Sequence, residues 1–288
     1  MTDTQYLAPA TLDEAVSAFA AANGAARILA GGTDLLVQIQ AGVVKPVLIV
    51  DVKKIGELTS VEETVDGGFI VGAAVSGAKL EKHLNFAKAW PGALEGLNLI
   101  GSTQVQGRAS FGGNLCNGSP AADSVPGLVA AGAVATIQGP NGRREMPVED
   151  FPSGPGKTNL APGEIVVSFT FPPRAPHSGD AYLRMIPRTE MDIAVVGCGV
   201  NLTMDGDTCT AARVAVGAVA PTVRRVPDAE AALIGSTLDD TAIEAAAAAC
   251  RVACDPIDDK RGTIAYRTQV AGVLLKRTTA IAAERAKA

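Results

Sequence analysis

Ala109-Ser110-Phe111-Gly112-Gly113-Asn114-Leu115-Cys116-Asn117-Gly118-Ser119-Pro120-Ala121-Ala122-Asp123 is the stretch around which the chain is organised. Small residues crowd together there with Asn, Ser and one carboxylate, and almost nothing is bulky. Paired glycines allow positive φ and let a ligand come close to the main chain. Successive free N–H groups in such a turn form a concavity suited to anions, phosphates above all. Leu29-Ala30-Gly31-Gly32-Thr33-Asp34-Leu35-Leu36 has the same texture. It follows the short run Arg27-Ile28-Leu29 and opens a helical pattern from Asp34 to Ile39. Two glycine cradles in one chain imply a ligand with two phosphates, or a long one spanning two lobes.

Composition sets the bounds. At 288 residues the chain can bury a sizeable core and divide into two domains. Hydrophobic residues at 47% and charged residues at 19% give a globular balance. A formal net charge of −5 leaves no basic footprint for nucleic acid. Met1-Thr2-Asp3-Thr4-Gln5-Tyr6 has neither the basic start nor the apolar region of a signal peptide. Apolar runs such as Leu128 to Ile137 fall short of the roughly 18 residues of a membrane span. The expectation is a soluble, cytoplasmic protein with no membrane span.

The five cysteines (Cys116, Cys198, Cys209, Cys250, Cys254) form no Cys-x-x-Cys pair, so neither a zinc ribbon nor an iron–sulfur cluster is expected in this chain. They read as ordinary buried thiols, with Cys116 the one in reach of a ligand. Reduced thiols suit a cytosolic setting. His83, in an expected helix, and His177, in a linker, have neither a nucleophile nor a metal-ligand spacing beside them. No catalytic side chain and no metal ligand is assigned. A chain with two phosphate cradles and few acid–base candidates is best explained by a bound cofactor that carries the chemistry.

Taken in order, Thr11-Leu12-Asp13-Glu14 is a capping box, and its helix ends at Asn23-Gly24. The first cradle and its helix follow, then a buried strand at Val47 to Val50 ending in Asp51. This makes a small α/β lobe over residues 1–55. A second lobe, 56–175, holds strands at Phe69 to Gly72, Ala133 to Ile137 and Glu164 to Phe171. Helices are expected at Ala78 to Leu84, Pro91 to Leu99 and Val125 to Val129, and Gly139-Pro140-Asn141-Gly142 signals a hairpin with a primed turn. Pro172 to Gly179 reads as a linker into residues 176–288. There, strands at Tyr182 to Ile186, Ala194 to Thr203 and Thr208 to Val219 precede helices at Asp228 to Ile234, Thr241 to Cys254 and Ile264 to Glu284. Strands followed by helices predict an antiparallel sheet with helices on one face, an α+β arrangement.

Gly154-Pro155-Gly156-Lys157-Thr158 imitates the tail of a phosphate-binding loop. Phe151 stands where that pattern needs its first glycine, and a turn at Asn159 to Gly163 replaces the required helix. No Gly-x-Gly-x-x-Gly follows a strand either, which disfavours a Rossmann lobe.

Ala30 to Leu35, with Ala109 to Asn114 and Ser119 to Asp123, resembles the FAD-binding medium subunit of the molybdenum hydroxylases, the xanthine dehydrogenase and carbon monoxide dehydrogenase group. The likeness extends over nearly the whole chain. Asp192-Ile193-Ala194 resembles the segment entering that family's C-terminal domain, and Asp259-Lys260-Arg261-Gly262 with Tyr266-Arg267 resembles one near its end. The resemblance implies an α+β protein: a two-lobed FAD-binding domain of the vanillyl-alcohol-oxidase type, then a small α/β C-terminal domain with a three-stranded sheet and helices.

It also implies a site. Residues Leu29, Ala30, Gly31, Gly32, Thr33, Asp34, Leu35 and Leu36, and Ala109, Ser110, Phe111, Gly112, Gly113 and Asn114, would wrap the FAD pyrophosphate. Thr33 and Ser110 would add hydroxyls, and Asn114 an amide. Ile100 and Gly101 would face the flavin, Ile100 where some relatives place an aromatic ring. Asp123 would bind polar atoms of the ribityl or adenosine part, or simply cap a helix. Leu160 matches a position touching the flavin. Arg184 matches a basic position near its pyrimidine end, or is a plain surface arginine.

Ser-Phe-Gly-Gly at Ser110 to Gly113 replaces the usual Thr-Ile-Gly-Gly but keeps the hydroxyl. No inserted cysteine-bearing loop of the hydroxybenzoyl-CoA reductase branch is present. By resemblance, partners would be a large subunit with a molybdopterin-type molybdenum cofactor and a small subunit with two [2Fe–2S] clusters, in a dimer of heterotrimers. Electrons would leave for NAD, a quinone or oxygen. A self-contained flavoenzyme of the same fold and a non-catalytic nucleotide-binding module are the other readings.

Overall fold

The computed structural model describes residues 4–287. Strands β1 (Gln5–Leu7), β2 (Ala26–Leu29) and β3 (Leu48–Asp51) make a parallel sheet in the order β1-β3-β2. Parallel neighbours need crossovers, and helices α1 (Leu12–Ala21) and α2 (Leu35–Gln40) lie between the strands. Thr11 caps α1 by accepting from the Glu14 N–H at 3.3 Å, and the Glu14 carboxylate reaches back to the Ala10 N–H at 3.1 Å. The box therefore closes one residue earlier than the sequence pattern implies. Strand β1 leaves no sequence signal, since all three of its residues are exposed.

Helix α3 (Gly56–Thr59) leads to β4 (Val61–Glu63) and β5 (Phe69–Gly72). Six short helices follow: α4 (Gly77–Glu81), α5 (Leu84–Ala89), α6 (Pro91–Asn98), α7 (Thr103–Gln106), α8 (Phe111–Cys116) and α9 (Ser124–Ala131). The chain continues through β6 (Val134–Gly139), β7 (Gly142–Pro147), a small hairpin of β8 (Pro152–Gly154) and β9 (Lys157–Thr158), and β10 (Ile165–Phe171). The sheet is antiparallel in the order β4-β5-β10-β6-β7.

Aromatic rings knit the helices to this sheet. Phe111 meets Phe169 and Phe171 with centroids 6.0 and 5.9 Å apart, and Phe86 meets Phe171 edge-on at 5.0 Å. Phe111 thus anchors α8, and with it the central glycine loop, in the core. Phe111→Ala is expected to cost about 3–5 kcal/mol of stability, read as a lowered urea midpoint; a loss under about 1 kcal/mol would contradict the anchoring.

Two local expectations are corrected. The helix expected over Ala78 to Leu84 breaks at Lys82-His83, because His83 starts a new helix by accepting from the Phe86 N–H at its Nδ1, 3.3 Å away. The hairpin at 139–142 forms, but its turn is not primed: Pro140 cannot take positive φ, and only Gly142 does so, at 108°. The imitation phosphate loop is the β8–β9 hairpin, whose Gly156 N–H donates to Gly118 O at 2.8 Å.

Strands β11 (Ser178–Met185), β12 (Val196–Asp205), β13 (Thr208–Gly217) and β14 (Arg224–Arg225) form an antiparallel sheet in that order. Helices α10 (Pro227–Leu233), α11 (Asp240–Val252) and α12 (Ile264–Ala286) complete the chain. The sheet has four strands rather than the expected three, since two residues of β14 are too few for a periodic signal. Strand β11 also begins inside the segment read as a linker. Gly179 lies so close under α12 that a Cβ there would sit 2.0 Å from Ala282 O. The two segments matched to the C-terminal domain by resemblance meet where Arg261 Nε lies 3.6 Å from Asp192 Oδ1, while Arg267 donates to Val195 O, next to the first segment, at 2.8 Å and to Asp259 at 2.6 Å.

Helix α9 is buried along its whole length, with β12 against it: a Cβ on Gly199 would lie 2.5 Å from Pro126 O. That sandwich explains the apolar run from Leu128 to Ile137. Among the described residues, no helix is long and apolar enough to cross a membrane.

Candidate functional site

Strand β2 delivers the first glycine turn to the edge of its sheet, and the second turn meets it there. A Cβ on Gly31 would lie 2.1 Å from Arg108 O, so the two main chains touch where no side chain fits. Gly32 takes φ 81°, which favours glycine. In the central loop the Gly112 N–H donates to Ala73 O at 3.0 Å, and a Cβ there would be 2.5 Å from the same oxygen. Ser110 caps α8 by accepting from the Gly113 N–H at 3.2 Å.

Side chains stitch the turns together. Asn117 donates its amide to Asp34 Oδ1 at 3.2 Å and accepts from the Gln38 amide at 3.2 Å. Arg108 Nε donates to Gly31 O at 3.3 Å. Among the described residues, the backbone N–H groups of Gly31, Gly32, Thr33 and Asp34 find no acceptor in the protein. Such a row of unpaired donors, in a turn that opens a helix, is a ready seat for an anion. Burial raises the Asp34 carboxyl above its ordinary range.

The turns border a cavity of about 280 Å³. Of the residues expected at the site, Ala30, Gly31, Gly32, Thr33, Asp34, Leu35, Ile100, Ala109, Ser110, Gly112, Gly113, Asn114 and Leu160 line it. Six others stand elsewhere. Leu29 and Phe111 are core residues. Leu36 is half exposed and abuts Gly32, and Gly101, at φ 63°, faces Val105. Asp123 and Arg184 lie outside the lining.

Asp123 and Arg184 are a buried pair. Arg184 Nη1 donates to Asp123 Oδ2 at 2.6 Å, and Tyr182 Oη donates to Asp123 Oδ1 at 3.0 Å. Asp123 makes no capping bond to α9, so that alternative is corrected. Asn114 takes over, with its Oδ1 accepting from the Ser124 N–H at 3.1 Å and the Ser124 hydroxyl at 2.7 Å. Nor is Arg184 a surface arginine: its side chain is 4% exposed, and its Nε has no partner among the described residues. Burial pushes the Asp123 carboxyl up to about 6, against the opposing pull of Arg184 and Tyr182.

The cavity also takes residues that sequence reasoning did not assign, among them Phe19, Arg27, Gln38, Asn117 and Glu164. Gln38 carried a usable signal, four residues after Asp34 on one helix face. Phe19 and Glu164 arrive from α1 and the turn before β10 and carried none. Cys116 lines the cavity, whereas Cys198, Cys209 and Cys250 are buried, Cys254 partly so. Among the described residues, no group of three His, Cys, Asp or Glu side chains is placed to hold a metal. Asn117→Ala removes both amide links between the turns, so affinity for the FAD that the resemblance implies should fall about tenfold by fluorescence titration; unchanged affinity would show that the turns hold their spacing without it.

The family description "FAD binding domain in molybdopterin dehydrogenase" matches residues 2–174, and "CO dehydrogenase flavoprotein C-terminal domain" matches residues 181–282. The chain is 32% identical to the carbon monoxide dehydrogenase medium chain of Hydrogenophaga pseudoflava, over 95% of this chain and 94% of that one. It is 33% identical to the putative xanthine dehydrogenase FAD-binding subunit of Escherichia coli (strain K12), over 83% and 82%. Its fold superposes on reconstituted CO dehydrogenase from Oligotropha carboxidovorans with a TM-score of 0.94 at 30% identity, covering 98% of both chains. Two glycine turns on one cavity, in a chain matched this completely, place the protein in the family of FAD-binding medium subunits of the molybdenum hydroxylases.

Proposed function

We propose that this chain is the electron-transfer subunit of a heterotrimeric molybdenum dehydrogenase, drawing electrons from [2Fe–2S] clusters of a small subunit and passing them to an external acceptor. The large subunit would carry the molybdenum cofactor and oxidise the substrate. The observation that supports this most is the row of four unpaired N–H groups facing a second glycine turn across one cavity. FAD bound there supplies the ability to exchange electrons one or two at a time.

The chain's own residues bind and orient. Gly31 to Asp34 offer main-chain donors to a pyrophosphate, and Asn117 and Arg108 hold the two turns at a fixed spacing. Ile100, Ala109 and Leu160 furnish apolar wall and exclude water. Arg184, held by Asp123 outside that lining, keeps a buried positive charge with an unpartnered Nε, suited to stabilise negative charge on a reduced ring that extends beyond the cavity. The reading divides the chain at about residues 55 and 175. It places the complex in the cytoplasm as a dimer of heterotrimers, with NAD, a quinone or oxygen as acceptor.

Dithionite-reduced iron–sulfur centres in the purified complex should reoxidise with an acceptor only when this chain is FAD-loaded. Equal reoxidation with the FAD-free chain would overturn the electron-transfer reading.

A further inference from the structure

A second cavity, of about 210 Å³, shares Ala30, Gly31 and Ala74 with the first. Lys53, Lys79 and Arg108 converge on it, together with Ser76 and Thr59. These cations come from three separate segments: the end of the first sheet, helix α4 and the approach to the central loop. Only Lys53 is neutralised, with its Nζ 2.7 Å from Asp51 Oδ1 and 3.2 Å from Ala30 O. Lys79 donates to the Thr59 carbonyl, and Arg108 donates through Nε to the Gly31 carbonyl. Among the described residues neither forms an ion pair, and both terminal nitrogens of Arg108 are without an acceptor. In a chain of net charge −5, this pocket concentrates two uncompensated positive charges.

We propose that this second cavity is an anion site that takes the phosphate group of a small ligand. An arginine fork presents two parallel N–H donors to two phosphate oxygens, and a lysine ammonium adds a point charge. Two free cations match the charge of a phosphate dianion, and the Ser76 hydroxyl offers a further polar contact. The three cations do not line the first cavity, but Arg108 also braces the glycine turns through Gly31 O, so Lys79 is the cation whose loss separates this site from the flavin reading.

The test uses the FAD-loaded chain in its native complex, titrated at low ionic strength with inorganic phosphate and, separately, with 5′-AMP. Binding is followed by calorimetry, and FAD content is measured in the same samples. Saturable one-to-one binding of either probe is expected, weakened about tenfold or more in Lys79→Glu with FAD content unchanged. Equal affinity for the two probes would identify free phosphate as the occupant, and tighter binding of 5′-AMP a nucleotide. Three results would overturn the proposal: no saturable binding of either probe, unaltered binding in Lys79→Glu, or release of FAD by the probe. Absence of FAD from the untreated chain would count against the flavin reading alone.

Discussion

Gly31→Ala is expected to yield a folded chain with less than about one tenth of the normal FAD content, a loss of at least about a hundredfold in affinity. The reason is steric. The new Cβ would lie 2.1 Å from Arg108 O and 2.7 Å from Arg108 C, and both are main-chain atoms that cannot rotate away. The two turns must separate, spreading the N–H groups of Gly31 to Asp34 from the Ser110–Asn114 turn opposite. Gly113→Ala is the control, since its Cβ would meet only Ser110 Oγ at 3.3 Å and should leave much of the FAD in place. Gly32→Asp and Gly113→Asp act differently, through repulsion between a carboxylate and the pyrophosphate, and should also empty the site. Full FAD occupancy in Gly31→Ala and in both aspartate variants would refute the site.

Arg184→Met is the second large effect, and its size depends on pH. Removing the guanidinium leaves Asp123 buried without its cation, at a cost of about 3–5 kcal/mol for an ionised partner. Burial pushes the Asp123 carboxyl up to about 6 in the folded chain, above its ordinary value of 3.8. Between those values the folded state holds a proton that the unfolded state has released, so this group's contribution to stability falls as pH rises through the window. Losing Arg184 raises the folded value further and extends the fall to higher pH. The deficit of Arg184→Met should therefore be largest near pH 8 and shrink towards pH 5, where a neutral Asp123 needs no cation. Adding Asp123→Asn should recover much of the loss at pH 8. A deficit independent of pH, or no recovery in the double variant, would show that Arg184 acts only by packing.

Much of this was legible in the sequence because it is local. Glycine pairs announce a main-chain approach, and Gly31 and Gly112 indeed sit where a Cβ would strike backbone. Helices α9, α11 and α12 declared themselves by composition and periodicity. What the sequence concealed depends on tertiary placement. Asp123 sits where a helix cap belongs, yet Asn114 satisfies the Ser124 N–H and Asp123 turns to Tyr182 and Arg184, some sixty residues on. The alternation of Tyr182, Leu183, Arg184 and Met185 gave no hint of which face is buried, because β11 has packing on both sides. Strands β1 and β14, of three and two residues, are too short for any pattern. The second cation pocket gathers Lys53, Lys79 and Arg108 from positions whose spacing carries no periodicity at all.

The measurement closest to the central claim is the visible spectrum and cofactor content of the chain purified gently from its native host. The account predicts one FAD per chain, iron–sulfur bands overlaid on the flavin, and two co-purifying subunits. A colourless chain that stays colourless after reconstitution with FAD would contradict it.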